Sequence, residues 1–140
     1  MANAVRIIGG DLRGRILHFP DLKGLRPTPD RVRETLFNWL GQRLDDLVCL
    51  DLFAGSAALA FEAVSRGATR VDAVDLNTKV CASAEENCRK TGIENMTVTC
   101  SEATHFLRQN KQSYDVVFLD PPFAENSLME DVLEILPRHL

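Results

Sequence analysis

From residue 47 onward the chain alternates between two kinds of segment, and this alternation restricts its possible folds more than any other feature. Apolar, strand-like runs occupy 48–53 (VCLDLF), 70–75 (RVDAVD), 96–100 (MTVTC) and 115–120 (DVVFLD). Helix-like segments follow them over 56–66, 78–91, 102–110 and 126–137. Strands separated by helices of this length predict βαβ units, a parallel sheet and helices on both of its faces. Right-handed crossovers then give a doubly wound α/β layer. Ahead of this region, 4–8 (AVRII) and 14–19 (GRILHF) surround Gly9, Gly10 and Gly14 and predict a small β-hairpin. The Pro/Gly-rich stretch 20–29 reads as a connection. A helix opening at Pro29 or Asp30 follows, with Val32, Leu36, Trp39 and Leu40 expected on one buried face.

With 140 residues the chain is expected to form one domain with a substantial core. No apolar run is long enough to span a bilayer, and the N-terminus lacks the apolar core of a signal peptide, so a cytoplasmic setting is expected. The four cysteines contain no C-x-x-C pair and stand with only three histidines, which argues against a metal site. They read as reduced, mostly buried apolar residues, with Cys81 and Cys88 sharing a helix face. Charge is unevenly spread. Residues 1–43 carry eight Lys/Arg against four Asp/Glu, whereas 44–140 carry eight against sixteen. A basic N-terminal segment on an acidic domain is a candidate phosphate-facing arm.

In an open parallel sheet, ligands bind outside the carboxyl ends of the strands. Asp51, Asp75 and Asp120 all fall at or near such ends. Asp75 closes its strand 20 residues after Gly55, the spacing at which an acid accepts hydrogen bonds from ribose hydroxyls. A nucleoside-containing cofactor follows. The loop 50–63 (LDLFAGSAALAFEA) has Gly55 but lacks the G-x-G-x-x-G that brings backbone to a pyrophosphate. An acid beside that loop repels phosphate and attracts an ammonium, which favours a cofactor with an amino-acid end. At 120–123 (DPPF), two prolines fix a stiff turn whose carbonyls, with the Asp120 carboxylate, can accept hydrogen bonds from a planar amino group. Phe123 adds a stacking face. Such acceptors draw the lone pair of a nucleobase amine out of the ring plane, toward an electrophilic methyl.

DPPF after a strand, downstream of LDLFAGS, resembles the motifs of S-adenosylmethionine-dependent amino methyltransferases. More narrowly, RIIGGDLRGRIL (6–17), RPTPDRVRETLFNWL (26–40), LDLFAGSAALAFEA and FLDPPF, in that order, resemble the bacterial 16S ribosomal RNA guanine-N2 methyltransferase family, the RsmD type. The resemblance implies a Rossmann-like class I methyltransferase sheet over 29–140, preceded by a β-hairpin extension and linker over 1–28. It implies methylation of the exocyclic N2 of a guanine in 16S rRNA, free or in the assembling 30S particle, by a monomer with no membrane or metal partner. Asp51, Phe53, Gly55, Ser56, Asp75, Leu76, Glu102 and Ala103 are then expected around S-adenosylmethionine. Asp120, Pro121, Pro122 and Phe123 are expected around the target base, and Arg13, Arg15, Arg26, Thr28, Arg31 and Arg33 on RNA.

Two features depart from the family pattern. Ala57 and Ala60 replace glycines, raising the question whether the Ala57 methyl crowds the cofactor; both alanines are expected inside the helix after the loop. Family members also continue past residue 140, so the C-terminal strands of the sheet are expected to be missing. Two other functions fit some of the residues: a DNA adenine-N6 methyltransferase, which shares the D-P-P-[F/Y] turn, and a non-catalytic RNA-binding or assembly module on the same fold. A nicotinamide-dependent oxidoreductase fits poorly without the glycine fingerprint.

Overall fold

The segments after residue 47 form a four-stranded parallel sheet, and the N-terminal hairpin packs onto one of its helical layers. The computed structural model describes residues 3–22, 25, 27–121 and 126–140. Strands β1 (Asn3–Arg6) and β2 (Ile16–Phe19) pair antiparallel, with Val5 opposite Leu17. Helix α1 (Asp30–Leu40) leads into β3 (Val48–Asp51), α2 (Ala58–Ser65), β4 (Arg70–Asp75) and α3 (Thr78–Thr91). Then come β5 (Met96–Cys100), α4 (Ala103–Gln109), β6 (Val116–Phe118) and α5 (Asn126–Ile135), with a 3-10 turn over Leu136–His139. The sheet order is β5-β4-β3-β6. The chain builds outward from β3 to β5 and then returns to place β6 on the other side of β3. That reversal opens a crevice beyond the carboxyl ends of β3 and β6.

Strand alternation divides the core into two layers. Cys49, Val71 and Ala73 face a cluster with Ile7, Leu17, Phe37 and Phe61, from the hairpin, α1 and α2. Leu50 and Val74 face the opposite cluster, with Leu107, Tyr114 and Val132. Asp72 on that second side is buried, and Tyr114 donates its hydroxyl proton to it at 2.6 Å. Of the cysteines, Cys49 and Cys81 are buried, Cys88 is half-buried and Cys100 is exposed; all four are free thiols.

The buried face of α1 differs from the expected one. Arg33 and Phe37 are fully buried and Leu36 and Leu40 pack partly, whereas Val32 and Trp39 are 51% and 81% exposed. The inward stripe is therefore 33-36-37-40. Its first member is an arginine, so hydrophobic spacing alone sets the face one step out of register.

Arg33 is buried because its charge is answered. It donates to Glu62 at 3.0 Å, and Glu62 accepts from Arg66 at 2.9 Å one helical turn on. The same Glu62 carboxylate accepts the backbone N–H groups of Ile8 and Gly9 at 2.9 and 3.0 Å. Arg66 also lies over the Phe37 ring, 5.0 Å from its centroid. One buried carboxylate thus ties the hairpin, α1 and α2 together.

The glycine pair of the hairpin explains the close approach to α2. Gly10 has φ +78°, and a Cβ there would stand 2.0 Å from the Ser65 carbonyl oxygen. Asp11 donates its N–H to that same oxygen at 2.7 Å. The turn therefore sits at the C-terminal end of α2, and Arg15 donates to the Lys90 carbonyl at the end of α3. Both places lie at the edge of the sheet opposite the carboxyl ends of the strands.

Helix α2 begins later than expected. Ala60 lies inside it, but Ala57 precedes it with φ +63°, in the left-handed region. That conformation costs a side-chain-bearing residue about 1–2 kcal/mol relative to glycine. The turn is held by the Ala57 N–H donating to Ala54 at 2.7 Å and by Phe61 donating back to Ala57 at 2.9 Å. The Ala57 methyl is completely buried in the core beside α2 and is not among the groups that line the crevice.

Candidate active site

Three acidic strand ends meet at the crevice. Asp51 ends β3, Asp75 ends β4 and Asp120 follows β6 by two residues. Together with Phe53, Gly55, Ser56, Thr28 and Pro121 they line a cleft of about 550 Å³. A shallower recess shares Asp75 and Asn77 with this cleft and adds Leu76, which is 69% exposed although apolar.

The loop between β3 and α2 is held from β4. Gly55, with φ +55°, donates its N–H to Asp75 Oδ2 at 2.9 Å, and Asn77 donates its N–H to Oδ1 at the same distance. Each Asp75 oxygen keeps a lone pair for a further donor. A Cβ on Gly55 would meet the Leu25 side chain at 3.3 Å, so Leu25 lies directly against the loop.

Asp51 is the unusual group. It is 1% exposed, and neither carboxylate oxygen has a hydrogen-bond partner among the described residues. Burial pushes its carboxyl up to about 7. The Ala60 N–H opposes that rise from outside hydrogen-bonding geometry, and the charges of Asp120 and Asp75 add to it. A carboxyl raised from 3.8 to about 7 binds its proton more readily in the folded chain than in the unfolded one. Its contribution to stability is therefore lost as pH rises through that window. An Asp51→Asn variant is expected to match the parent's unfolding midpoint at about pH 3, to exceed it already at pH 5, and to exceed it by more at pH 8. Equal pH slopes for the two proteins in thermal unfolding would refute this account of Asp51.

The other expected site residues divide. Glu102 is exposed and caps α4, accepting the Thr104 N–H at 3.0 Å; its hydrogen bond from the Thr104 hydroxyl lowers its carboxyl below the ordinary value. Ala103 is buried, and neither residue lines the cleft or the recess. Arg31 is exposed in the first turn of α1, beside the cleft-lining Pro29 and Val32. Arg33 is a correction: fully buried and ion-paired, it cannot present its guanidinium to a phosphate. Arg13 and Arg15 are exposed, but they belong to the hairpin end docked at the far edge, so they do not extend a surface from the cleft. Arg26, Pro122 and Phe123 lie outside the described residues.

Leu22 and Leu25, which the sequence reading places in a connection, also line the cleft, as does Pro27 of the R-P-T-P segment. Two leucines in a stretch read as a linker were the available signal, since a solvated connection has no need of them.

A parallel sheet with its order reversed beside an acid-lined cleft, under an N-terminal hairpin, is the fold of a Rossmann-like methyltransferase domain. The solved structure of precorrin-6Y C5,15-methyltransferase from Geobacter metallireducens shares it, with a TM-score of 0.72 and 27% identity over 87% of this chain and 63% of that one. The solved structure of yhhF from Escherichia coli superposes with a TM-score of 0.89 and 40% identity, covering 98% of this chain and 74% of that one. The chain belongs to the family described as Conserved hypothetical protein 95, whose model matches residues 5–140, an RsmD-type methyltransferase family. Among its relatives, ribosomal RNA small subunit methyltransferase D of Escherichia coli K12 is 46% identical over 132 residues, 94% of this chain and 66% of that protein. The protein of the same name from Haemophilus influenzae is 46% identical over 136 residues, 94% of this chain and 70% of its own length. The chain thus spans about two thirds of the curated relatives it matches.

Proposed function

We propose that this chain transfers a methyl group from S-adenosylmethionine to the exocyclic N2 of a guanine in 16S rRNA. The observation that carries the reading is the meeting of Asp51, Asp75 and the Asp120–Pro121 turn around one cleft. The residues fit the cofactor. A buried carboxylate with no hydrogen-bond donor among the described residues suits an ammonium group, and Asp75 retains acceptor capacity for ribose hydroxyls. Exposed Leu76, in the adjoining recess, offers apolar contact to the adenosine end.

When bound, S-adenosylmethionine supplies an electrophilic methyl carried on sulfur. The chain contributes positioning and electrostatics. The Asp120 carboxylate and the Pro121 carbonyl accept hydrogen bonds from the guanine amine and turn its lone pair toward the cleft. A base within a helix cannot present that amine, so the guanine is unpaired or flipped out. Phe123 is assigned to stack on it, and Arg26 and Arg31 to phosphates beside the entrance. On this reading the chain works as a monomer in the bacterial cytoplasm.

Incubation with tritiated S-adenosylmethionine and either 30S particles, free 16S rRNA or duplex DNA tests the proposal. Label in rRNA recovered as N2-methylguanosine is the expected result. N6-methyladenine in DNA would replace the substrate. Binding of rRNA with no calorimetric response to the cofactor would replace the enzyme with an assembly module.

A further inference from the structure

One residue of the N-terminal segment touches the reacting end of the cleft directly. The Thr28 hydroxyl donates to Asp120 Oδ2 at 3.3 Å, across 92 residues of sequence. Thr28 is half-buried and lines the same cleft as Asp120 and Pro121. Its position is unusually constrained. Pro27 precedes it and Pro29 follows it, with Pro29 at φ −58° and ψ 152°. The proline after it confines Thr28 to extended backbone. Arg33 Nε donates to the Thr28 carbonyl at 3.0 Å, and that arginine is itself anchored on Glu62 in the core. Asp120, by contrast, is exposed and stands just past a three-residue strand. Of the pair, the threonine is the fixed member.

Resting on the methyl-transfer reading above, the geometry points to Thr28 as a positioning residue: its hydroxyl fixes the rotamer of Asp120 so that the other carboxylate oxygen is free for the target amine. A carboxylate oxygen has two lone pairs, so a donor on Oδ2 leaves Oδ1 wholly available. An exposed Asp120 without this donor would sample several rotamers, and only some of them place an acceptor toward the base. The buried Arg33–Glu62 pair thereby sets the geometry of an acid that it never touches, through the backbone of the P-T-P segment.

The test combines two measurements on the full chain. In a double-mutant cycle of Thr28→Val and Asp120→Ala, urea unfolding midpoints should be non-additive, because each single change already removes the hydrogen bond. In methyl transfer to 30S particles, Thr28→Val should lower kcat about tenfold, the size expected for loss of one hydrogen bond to a charged group, with KM for S-adenosylmethionine unchanged. Thr28→Ser, which keeps the hydroxyl, should recover kcat to within about twofold of the parent. Additive midpoints, a loss confined to KM, or a serine variant no better than valine would each overturn the assignment. A parent chain that transfers no methyl refutes the activity, and the positioning role with it. Non-additive midpoints in that case would still establish the Thr28–Asp120 contact as structural.

Discussion

Replacing Asp120 by alanine is expected to lower methyl transfer by about a hundredfold to a thousandfold, the scale seen when a preorganised group is removed from the reacting atoms. Binding of S-adenosylmethionine should survive. Asp120 stands on the rim beyond β6, whereas the groups assigned to the cofactor lie on β3, the loop after it and the end of β4. Removing one negative charge near Asp51 also favours the ionised form of that buried carboxyl, which is the form an ammonium needs. Asp120→Asn should lose less, since its amide oxygen still accepts a hydrogen bond. Tritium transfer and calorimetry on the same preparations separate the two effects. An alanine variant with parental turnover would remove Asp120 from the reaction.

The second large effect concerns stability. Glu62 answers two arginines that are 0% and 4% exposed, and it accepts two hairpin amides as well. Its replacement by alanine leaves the buried Arg66 guanidinium without its counter-charge and Arg33 with only the exposed Asp30 carboxylate, 2.5 Å away at the start of α1. Breaking a buried pair in this way costs about 3–5 kcal/mol. For a domain of this size that corresponds to a fall of roughly 10 °C or more in Tm. Arg43 provides the contrast. Its partners Asp11 and Asp45 are 73% and 60% exposed, and exposed pairs are worth about 0–1 kcal/mol. Unfolding followed by circular dichroism should therefore separate Glu62→Ala clearly from Arg43→Ala. Similar midpoints for the two variants would show that the triad does not hold these elements together.

The acidic edge of the sheet was readable from sequence because its parts are local. Strand ends, a loop glycine and a proline turn each announce themselves within a few residues, and the α/β topology brings them to one side. What escaped was decided by tertiary partners. Arg33 looks like a surface arginine until Glu62, 29 residues later, is seen opposite it. Trp39 looks like core until that buried arginine turns α1 and leaves the indole exposed. Which edge of the sheet receives the hairpin turn depends on Gly10 meeting Ser65, a contact that no local pattern around Arg13 and Arg15 announces. Ala57 kept its helical reading because alanine favours helices, while the loop geometry imposed a left-handed residue just before α2.

The hairpin's attachments also impose an order on synthesis. Gly9 donates to Glu62 and the His18 carbonyl accepts from Asn87, contacts that span 53 and 69 residues. The hairpin therefore leaves the ribosome with no docking surface until α2 and then α3 have emerged. At about 5–20 residues per second, the apolar faces of β1 and β2 wait several seconds for their partners. In the nascent chain, the hairpin is made before the helices it packs on and docks only after them.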